Sequence, residues 1–441
     1  MRRFFQLRSL FFPAIAVLFS FVAAAPLKLD LREAMRLARQ RGTQAVVADE
    51  RVQQALSRLT QARSVFLPQI GGTASFQRRT INLNAMGINI PGQNPKVGPF
   101  NTSDARLSVT QSIFDAAAIQ RLRALQAGRD ISEAERRKAE QDAMALVGSF
   151  YLNARRGEDQ VRLAQSLLRV AEKRLAVARE ARRVGAGTDL DVLQLESGVA
   201  DRREDLAAAR TTALEQRLDL AAALGLPQDH AIAFAAGDPF PKMKIPSDDE
   251  ITAAVSGHPD MEVAEQTVKE RKREISVEKA DFFPKISASA DYGASGTSFG
   301  DSFGTYSVGG QASLPIFRGG LRSGRIKEAK AKARESEVQR DDVARRTEAK
   351  ARTARENLKQ TSLLLEAARS DQKEAEKRLN VSRDRSESGA GSDLEAVESE
   401  AGAAAARDRS REAEATALLA RVELEHALGR LDALIDGKGN P

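Results

Sequence analysis

The sequence contains no cysteine and no tryptophan, and only 5% of its 441 residues are aromatic. Without cysteine there is no disulfide framework, no thiolate metal site and no lipid anchor on an N-terminal cysteine. Few aromatic residues together with 29% charged residues are typical of long helices and not of compact mixed cores. Any attachment to a membrane must therefore come from the fold.

The N-terminus has the pattern of a secretory signal peptide. Arg2, Arg3 and Arg8 precede an apolar run at residues 10–25 that ends in small residues. We expect residues 1–24 to be removed, because the run is too short to span a membrane comfortably. Elsewhere lysine and arginine alternate with aspartate and glutamate, so we expect an exported protein with no nucleic-acid partner.

Two similar stretches, VGAGTDLDVL at residues 184–193 and SGAGSDLEAV at residues 388–397, organise the chain. In each, a long helical run breaks at glycines and restarts at a hydroxyl residue with an acid three positions later. This is a helix stop followed by a capping box, with Thr188 paired with Asp191 and Ser392 paired with Glu395. We expect each stretch to be the tip of a helical hairpin.

The two stretches belong to two copies of one unit, predicted at residues 25–225 and 258–429. FLP at residues 66–68 recurs as FFP at 282–284, and the IF pair at 113–114 recurs at 316–317. The long hairpins are predicted at residues 115–224 and 318–428, each descending arm being about 105 Å long. A proline-rich linker with one short helix, residues 226–257, joins the copies, and we expect the tail after Gly429 to be poorly ordered.

The descending arms carry a heptad seam of mostly small residues, which favours a curved wall of helices around a lumen. The first arm contributes Val161, Ala164, Leu168, Ala171, Leu175 and Ala178. The second contributes Leu365, Ala368, Gln372, Ala375, Leu379 and Ser382.

Residues 69–113 and 285–316 have a different sequence pattern, in which apolar and small polar residues alternate with a period of two. Ile70, Gly72, Ala74 and Phe76 lie on one side of the first strand, for example. A solvated sheet packed on one side is one interpretation. Four strands that face lipid on one side and water on the other are the alternative, which export favours. Such strands would need several protomers to close a barrel.

We find no pattern of catalytic residues and expect neither an enzyme nor a cofactor. His230, His258 and His426 are isolated in sequence, so we expect no metal site. The many carboxylates lie three or four residues from lysine or arginine, which is typical of solvated pairs on helices.

The order and spacing of these motifs resemble the TolC-like outer-membrane efflux and secretion channels over essentially the whole mature chain. The resemblance implies a mixed α and transmembrane β fold, internally duplicated. In it a homotrimer forms a twelve-stranded barrel in the outer membrane and a long helical tunnel in the periplasm. It also implies a periplasmic adaptor and an inner-membrane pump of the RND, ABC or MFS type as partners, with passive transport. Two features of relatives are absent, a tyrosine and arginine latch in residues 386–392 and a lipidated cysteine.

The resemblance assigns two roles to the tips. The adaptor is expected to dock through Val184, Gly185, Leu190, Gly389 and Leu394, although the glycines would end the helices in any case. The acids expected at the periplasmic entrance are Asp191, Glu395 and Glu398, although Glu395 also fits a simple capping role.

A different class of protein also fits the sequence, an exported coiled-coil structural or adaptor protein of the periplasm with a small soluble sheet. The two hairpins at residues 69–113 and 285–316 discriminate between the two interpretations, because only the channel needs them in the membrane.

Overall fold

The computed structural model describes residues 27–228, 232–235 and 245–436. The expected signal peptide, residues 1–24, lies outside them. The strands are β1 (Leu27–Leu29), β2 (Gln69–Asn82), β3 (Lys96–Asp115), β4 (Ile232–Phe234), β5 (Lys285–Gly296) and β6 (Ser302–Ser313). The helices are α1 (Leu31–Arg41), α2 (Thr43–Ser64), α3 (Ala116–Arg183), α4 (Asp189–Ala223), α5 (Asp248–Ser256), α6 (Pro259–Ala280), α7 (Leu321–Glu387), α8 (Asp393–Ala427) and α9 (Leu431–Asp436).

Two long helices, α3 with 68 residues and α7 with 67, set the length of the molecule at about 100 Å of helix. The predicted arms are confirmed to within three residues at each end. Asp115 caps α3, because its Oδ1 accepts a hydrogen bond of 2.9 Å from the Ala118 amide. α7 begins later than predicted, at Leu321, because Gly319 and Gly320 adopt positive φ angles of 54° and 84°.

The four long strands form one antiparallel sheet in the order β2-β3-β5-β6. Its register aligns the predicted apolar positions across the sheet, with Ile70 opposite Val109, Val109 opposite Ala290 and Ala290 opposite Val308. β3 begins at Lys96, earlier than its period-two pattern, which starts at Arg106. β6 ends at Ser313 and not at Ile316, since Pro315 has no amide hydrogen for a ladder bond.

The sheet continues directly into a wall of helices in the same order. α2 leads into β2, β3 into α3, α6 into β5 and β6 into α7. Accordingly α2 packs against α3, α3 against α6, and α6 against α7. At the far end α4 packs on α3, α8 packs on both α3 and α7, and part of the predicted seam is buried there around Leu175 and Leu379.

The largest core lies at mid-height, where α1, α3, α4, α8 and α9 meet. Two expectations were wrong here. The sequence of residues 27–66 predicts helix, but Leu27–Leu29 is a strand that pairs in parallel with β4, in the linker. The tail was expected to be poorly ordered after Gly429, but residues 431–436 form α9, which buries Leu431 and Ile435 in this core. Both errors have one cause, the burial of apolar side chains by partners distant in sequence.

The linker contains β4 and the predicted short helix, α5, which Ser247 caps. Its residues 229–231 and 236–244 lie outside the described part of the chain. Among the helices described, none combines the length and the apolar composition that a membrane-spanning helix requires.

Candidate functional site

The first tip joins α3 to α4 through a short loop that begins at Val184. Gly185 has a φ angle of 79°, and the Ala186 amide donates to the Ala181 carbonyl over 2.8 Å. The arrangement is a helix stop in which glycine supplies the left-handed conformation.

The predicted capping box at the start of α4 is confirmed. The Asp191 amide donates to Thr188 Oγ1 over 3.1 Å, and the Thr188 amide donates to Asp191 Oδ2 over 3.0 Å. These hydrogen bonds, first that of the Thr188 hydroxyl, lower the pKa of Asp191 below its ordinary value. Asp191, expected at the entrance, is therefore ionised and fixed at the tip.

The second tip, between α7 and α8, differs from this prediction. Ser392 Oγ accepts from the Glu395 amide over 3.1 Å, but the Glu395 carboxylate lies 3.3 Å from Arg385 and closes no capping box. A charged donor competes well with a backbone amide for a carboxylate. Arg385 also reaches the Ala390 carbonyl at 3.5 Å, so it ties the loop to the end of α7.

The tips also differ in the side chains that they expose. On the first, Val184 and Leu190 are 64% and 62% exposed, and Leu193 is exposed beside them. On the second, Gly389 is exposed and Leu394 is half-buried. The prediction did not include Leu193, although its spacing of three from Leu190 places it on the same helix face.

Glu398, the third acid expected at the entrance, is paired across the two hairpins. Its carboxylate lies 2.9 Å from Arg174 of α3. Further ion pairs join α3 to α8 between this point and mid-height, along a line of contact that we call the α3–α8 seam. They are Arg411 with Asp159 at 2.6 Å, Arg156 with Glu412, and Arg155 with Glu414 at 3.5 Å.

The second tip is acidic in spite of these pairs. Residues 383–400 contain two arginines against six aspartates and glutamates, a net charge of −4. In the part of the chain that is described, Asp384 and Glu387 have no cationic partner within 4 Å. This end of the molecule therefore presents negative charge to solvent.

A second polar cluster lies at mid-height, where the structure brings His258 and His426 together. His258 Nδ1 accepts from the Asp260 amide at 3.1 Å, and its Nε2 lies 3.2 Å from the His426 carbonyl. His426 Nε2 lies 2.8 Å from Asp142. No described group of three or more potential ligands is arranged to hold a metal ion, and His230 lies outside the described residues.

Comparison with known proteins gives a consistent set of relatives. A family model described as outer membrane efflux protein matches residues 34–226 and 251–430. The pyoverdine export outer membrane protein OpmQ of Pseudomonas putida is 26% identical over 307 residues, which cover 67% of this chain and 63% of that protein. The alkaline protease secretion protein AprF of Pseudomonas aeruginosa is 25% identical over 249 residues, covering 55% and 52%.

Solved structures have the same fold. The CmeC outer membrane channel of Campylobacter jejuni superposes with a TM-score of 0.75 at 18% identity, over 91% of this chain and 85% of that one. The open MtrE channel of Neisseria gonorrhoeae gives 0.67 at 20% identity, over 90% and 88%. In the sequence matches, this chain spans slightly less than two thirds of the length of OpmQ.

Proposed function

Because the chain belongs to the outer membrane efflux protein family, we propose that it is a channel that serves as the exit duct of a tripartite efflux or secretion system. The family places it in the outer membrane of a Gram-negative cell. The observation that carries the proposal is the four-stranded sheet that continues, strand by strand, into helices of about 100 Å. In such a shape the sheet can cross a membrane and the helices can extend through a wide aqueous compartment on one side of it.

The unpaired edges of the sheet support a trimer. β2 and β6 are the outer strands and run in opposite directions, so β6 of one copy can pair with β2 of the next in antiparallel fashion. Three copies would form a closed barrel of about twelve strands, which leaves no edge exposed to lipid. The two similar halves of each chain would then be copies of one duplicated unit.

The two faces of the sheet support its orientation in the proposed barrel. Ile70, Tyr306 and Val308 are exposed on the apolar face, which would contact lipid. On the other face the Arg106 guanidinium bonds to Asp291 and to Asp104, the latter at 3.1 Å. Charged groups of this kind are suited to a water-filled lumen.

We place the adaptor contact at the two tips, through Val184, Gly185, Leu190, Gly389 and Leu394, and we add Leu193 because it is exposed beside Leu190. Exposed apolar side chains on helical ends are suited to helix–helix docking. The acids Asp191, Glu395 and Glu398 would line the periplasmic entrance, and the excess of negative charge on the second tip supports cation preference there.

Energy and cargo selection would come from an inner-membrane pump of the RND, ABC or MFS type, because the proposal includes no catalytic step in this chain. The names of relatives refer to pyoverdine export and to alkaline protease secretion. Small molecules and secreted polypeptides are therefore the two cargo classes that we propose.

The experiment is fractionation of cells that express the full chain. The channel predicts an outer-membrane protein that salt does not extract and that migrates as a trimer until it is heated in detergent. A monomeric periplasmic protein released by salt would contradict the channel and support the coiled-coil adaptor.

A further inference from the structure

Basic residues gather where the helices meet the sheet. We define the collar as residues 52–64 of α2, 116–128 of α3, 268–280 of α6 and 321–334 of α7. It contains fifteen lysines and arginines against four glutamates, a net charge of +11, whereas the whole sequence has +7. The positive charge that is dispersed in the sequence is therefore concentrated by the fold into one band, and the remainder of the chain is net negative.

Most of the basic side chains in the collar have no acidic partner. In the described chain, no carboxylate oxygen lies within the 4 Å of an ion pair from the following exposed residues: Arg58, Arg63, Arg121, Arg123, Lys269, Arg273, Lys279, Arg325, Lys327, Lys330 and Arg334. By contrast, arginines along the α3–α8 seam are paired with acids. The charge of the collar is thus available to another molecule.

Helix stability accounts for only a small part of this charge, because α2 and α6 end in the collar and their dipoles favour Arg63 and Lys279 in the last turns. α3 and α7 begin in the collar, and the positive end of a helix dipole favours acids. The first fourteen residues of α7 nevertheless contain six lysines and arginines against one glutamate. The dipole acts only within the first turn, which contains one of these bases, Arg322, so it does not explain the other five, and the charge of those without an ion pair is free to meet an anionic partner outside the helix.

Assembly of the channel would not neutralise the collar either. α7 packs on α6 and, in the proposed trimer, its free side would meet α2 of the next copy. That part of α2 contributes Arg58 and Arg63 and no acid. Three copies would therefore form a continuous positive ring.

An apolar girdle adjoins the collar at the junctions between helices and strands. Ile316 and Phe317 are 90% and 85% exposed, and Leu67, Phe282, Phe283 and Leu314 are exposed as well. Apolar and aromatic side chains followed by long basic ones are typical of the boundary between hydrocarbon and headgroups, where Lys and Arg reach towards phosphates.

We propose that the collar binds anionic phospholipid headgroups in the leaflet of the outer membrane that faces the helices. The inference rests on the proposed function, because it requires the sheet to lie in that membrane. Headgroup phosphates complement the unpaired charge, and the girdle places the collar at their depth. Each Lys or Arg near an anionic surface contributes a preference of about five-fold.

The test uses a tryptophan as reporter, since the chain has none. Phe283→Trp places a single indole in the girdle of the full-length protein, reconstituted in vesicles with brominated phosphatidylglycerol or brominated phosphatidylethanolamine. Lys327, Lys330 and Arg334 lie within about 60° of one another around α7, so changing all three to Gln removes one charged face. Changing Arg369, Lys373 and Lys377 to Gln is the matched control, since these exposed residues lie further along α7 and form no ion pair with any described residue.

We expect phosphatidylglycerol to be the preferred quencher by about five-fold or more, and the preference to weaken in about 1 M salt. The collar variant should lose most of the preference and the control should keep it. Equal quenching by both lipids, or a preference that the collar variant retains, would overturn the proposal. The proposal would also be overturned if the collar variant changed the ion selectivity of the pore and left the lipid preference unchanged, because these side chains would then face the lumen.

Single-channel conductance is recorded in parallel to separate the two proposals. Absence of conductance counts against the channel, whereas conductance without lipid preference counts against lipid binding by the collar alone.

Discussion

The Arg174 guanidinium lies 2.9 Å from the Glu398 carboxylate, although the residues are 224 positions apart and belong to different hairpins. Arg174 is in α3, and Glu398 lies near the start of α8. Among the ion pairs described between α3 and α8, this pair lies nearest to the tips. It is positioned to hold the second hairpin against the first.

We expect Arg174→Glu to open the closed channel, because two carboxylates would then face each other. Both side chains are about half exposed, so the pair contributes only about 0.2–1 kcal/mol per subunit. Single-channel conductance in planar bilayers should rise, and the exchange Arg174→Glu with Glu398→Arg should restore it. Arg203→Glu, which breaks the 3.4 Å pair with Glu172 inside one hairpin, is the control. Equal gains from both single variants would contradict the latch.

Gly185→Val and Gly389→Val should abolish export while the trimer remains intact. Both glycines have positive φ, 79° and 72°, and no atom of the described residues lies within 4 Å of an added Cβ, so the change strains the backbone without a clash. The strain is about 1–2 kcal/mol at each tip. Asn at either position tolerates this conformation and should preserve export. Loss of the trimer in the Val variants would show that the glycines are structural and would remove support for docking.

Replacing Glu395 and Glu398 with Ala should reduce the preference of the closed channel for cations and weaken block by trivalent cations. The second tip would lose part of its net charge, and six carboxylates would disappear from the proposed threefold entrance. Reversal potentials across a salt gradient measure the effect. Glu412→Ala with Glu414→Ala removes the same charge from mid-height of α8 and should leave selectivity unchanged. An unaltered preference in the tip variant would leave these acids with capping and pairing roles only.

His258 should make the fold sensitive to mild acid. Burial lowers its pKa below the ordinary value of 6.5, in spite of the opposing charge of Asp260, and its Nδ1 must be unprotonated to accept from the Asp260 amide. The stability contributed is full above the unfolded-state pKa and is lost as pH falls towards the lower folded-state pKa. The melting temperature should therefore fall between pH 7 and pH 5.5, and less so in His258→Asn, which can cap α6 without titrating. Identical pH dependence in both proteins would exclude this role.

Leu431→Ala should destabilise the mid-height core by about 2–5 kcal/mol, because Leu431 is fully buried where α9 joins it. Thermal unfolding in detergent measures the change. Asp436→Ala, on the exposed end of α9, removes only a 3.8 Å contact with Arg39 and should cost less than about 1 kcal/mol. Similar effects from the two variants would mean that α9 is docked only weakly.

The sequence predicts those elements whose causes are local. Periodicity and the residues at helix ends placed α3, α4 and the sheet, and the Thr188 box formed as expected. β1 was missed because a three-residue strand depends on a partner some two hundred residues away. Arg385 displaced the second capping box because its distance from Glu395 depends on how two helices pack, which no local pattern contains.

The unpaired outer strands β2 and β6 have a consequence for genetics. A subunit whose edge strand cannot pair would also inactivate the normal subunits in its ring, because the barrel closes only if β6 pairs with β2 at every subunit interface. In a cell that expresses normal and edge-defective subunits equally, random assembly of the proposed trimer would leave only about one ring in eight free of the defect. Mutations at these edges should therefore behave as dominant, whereas mutations that prevent export of the chain should be recessive.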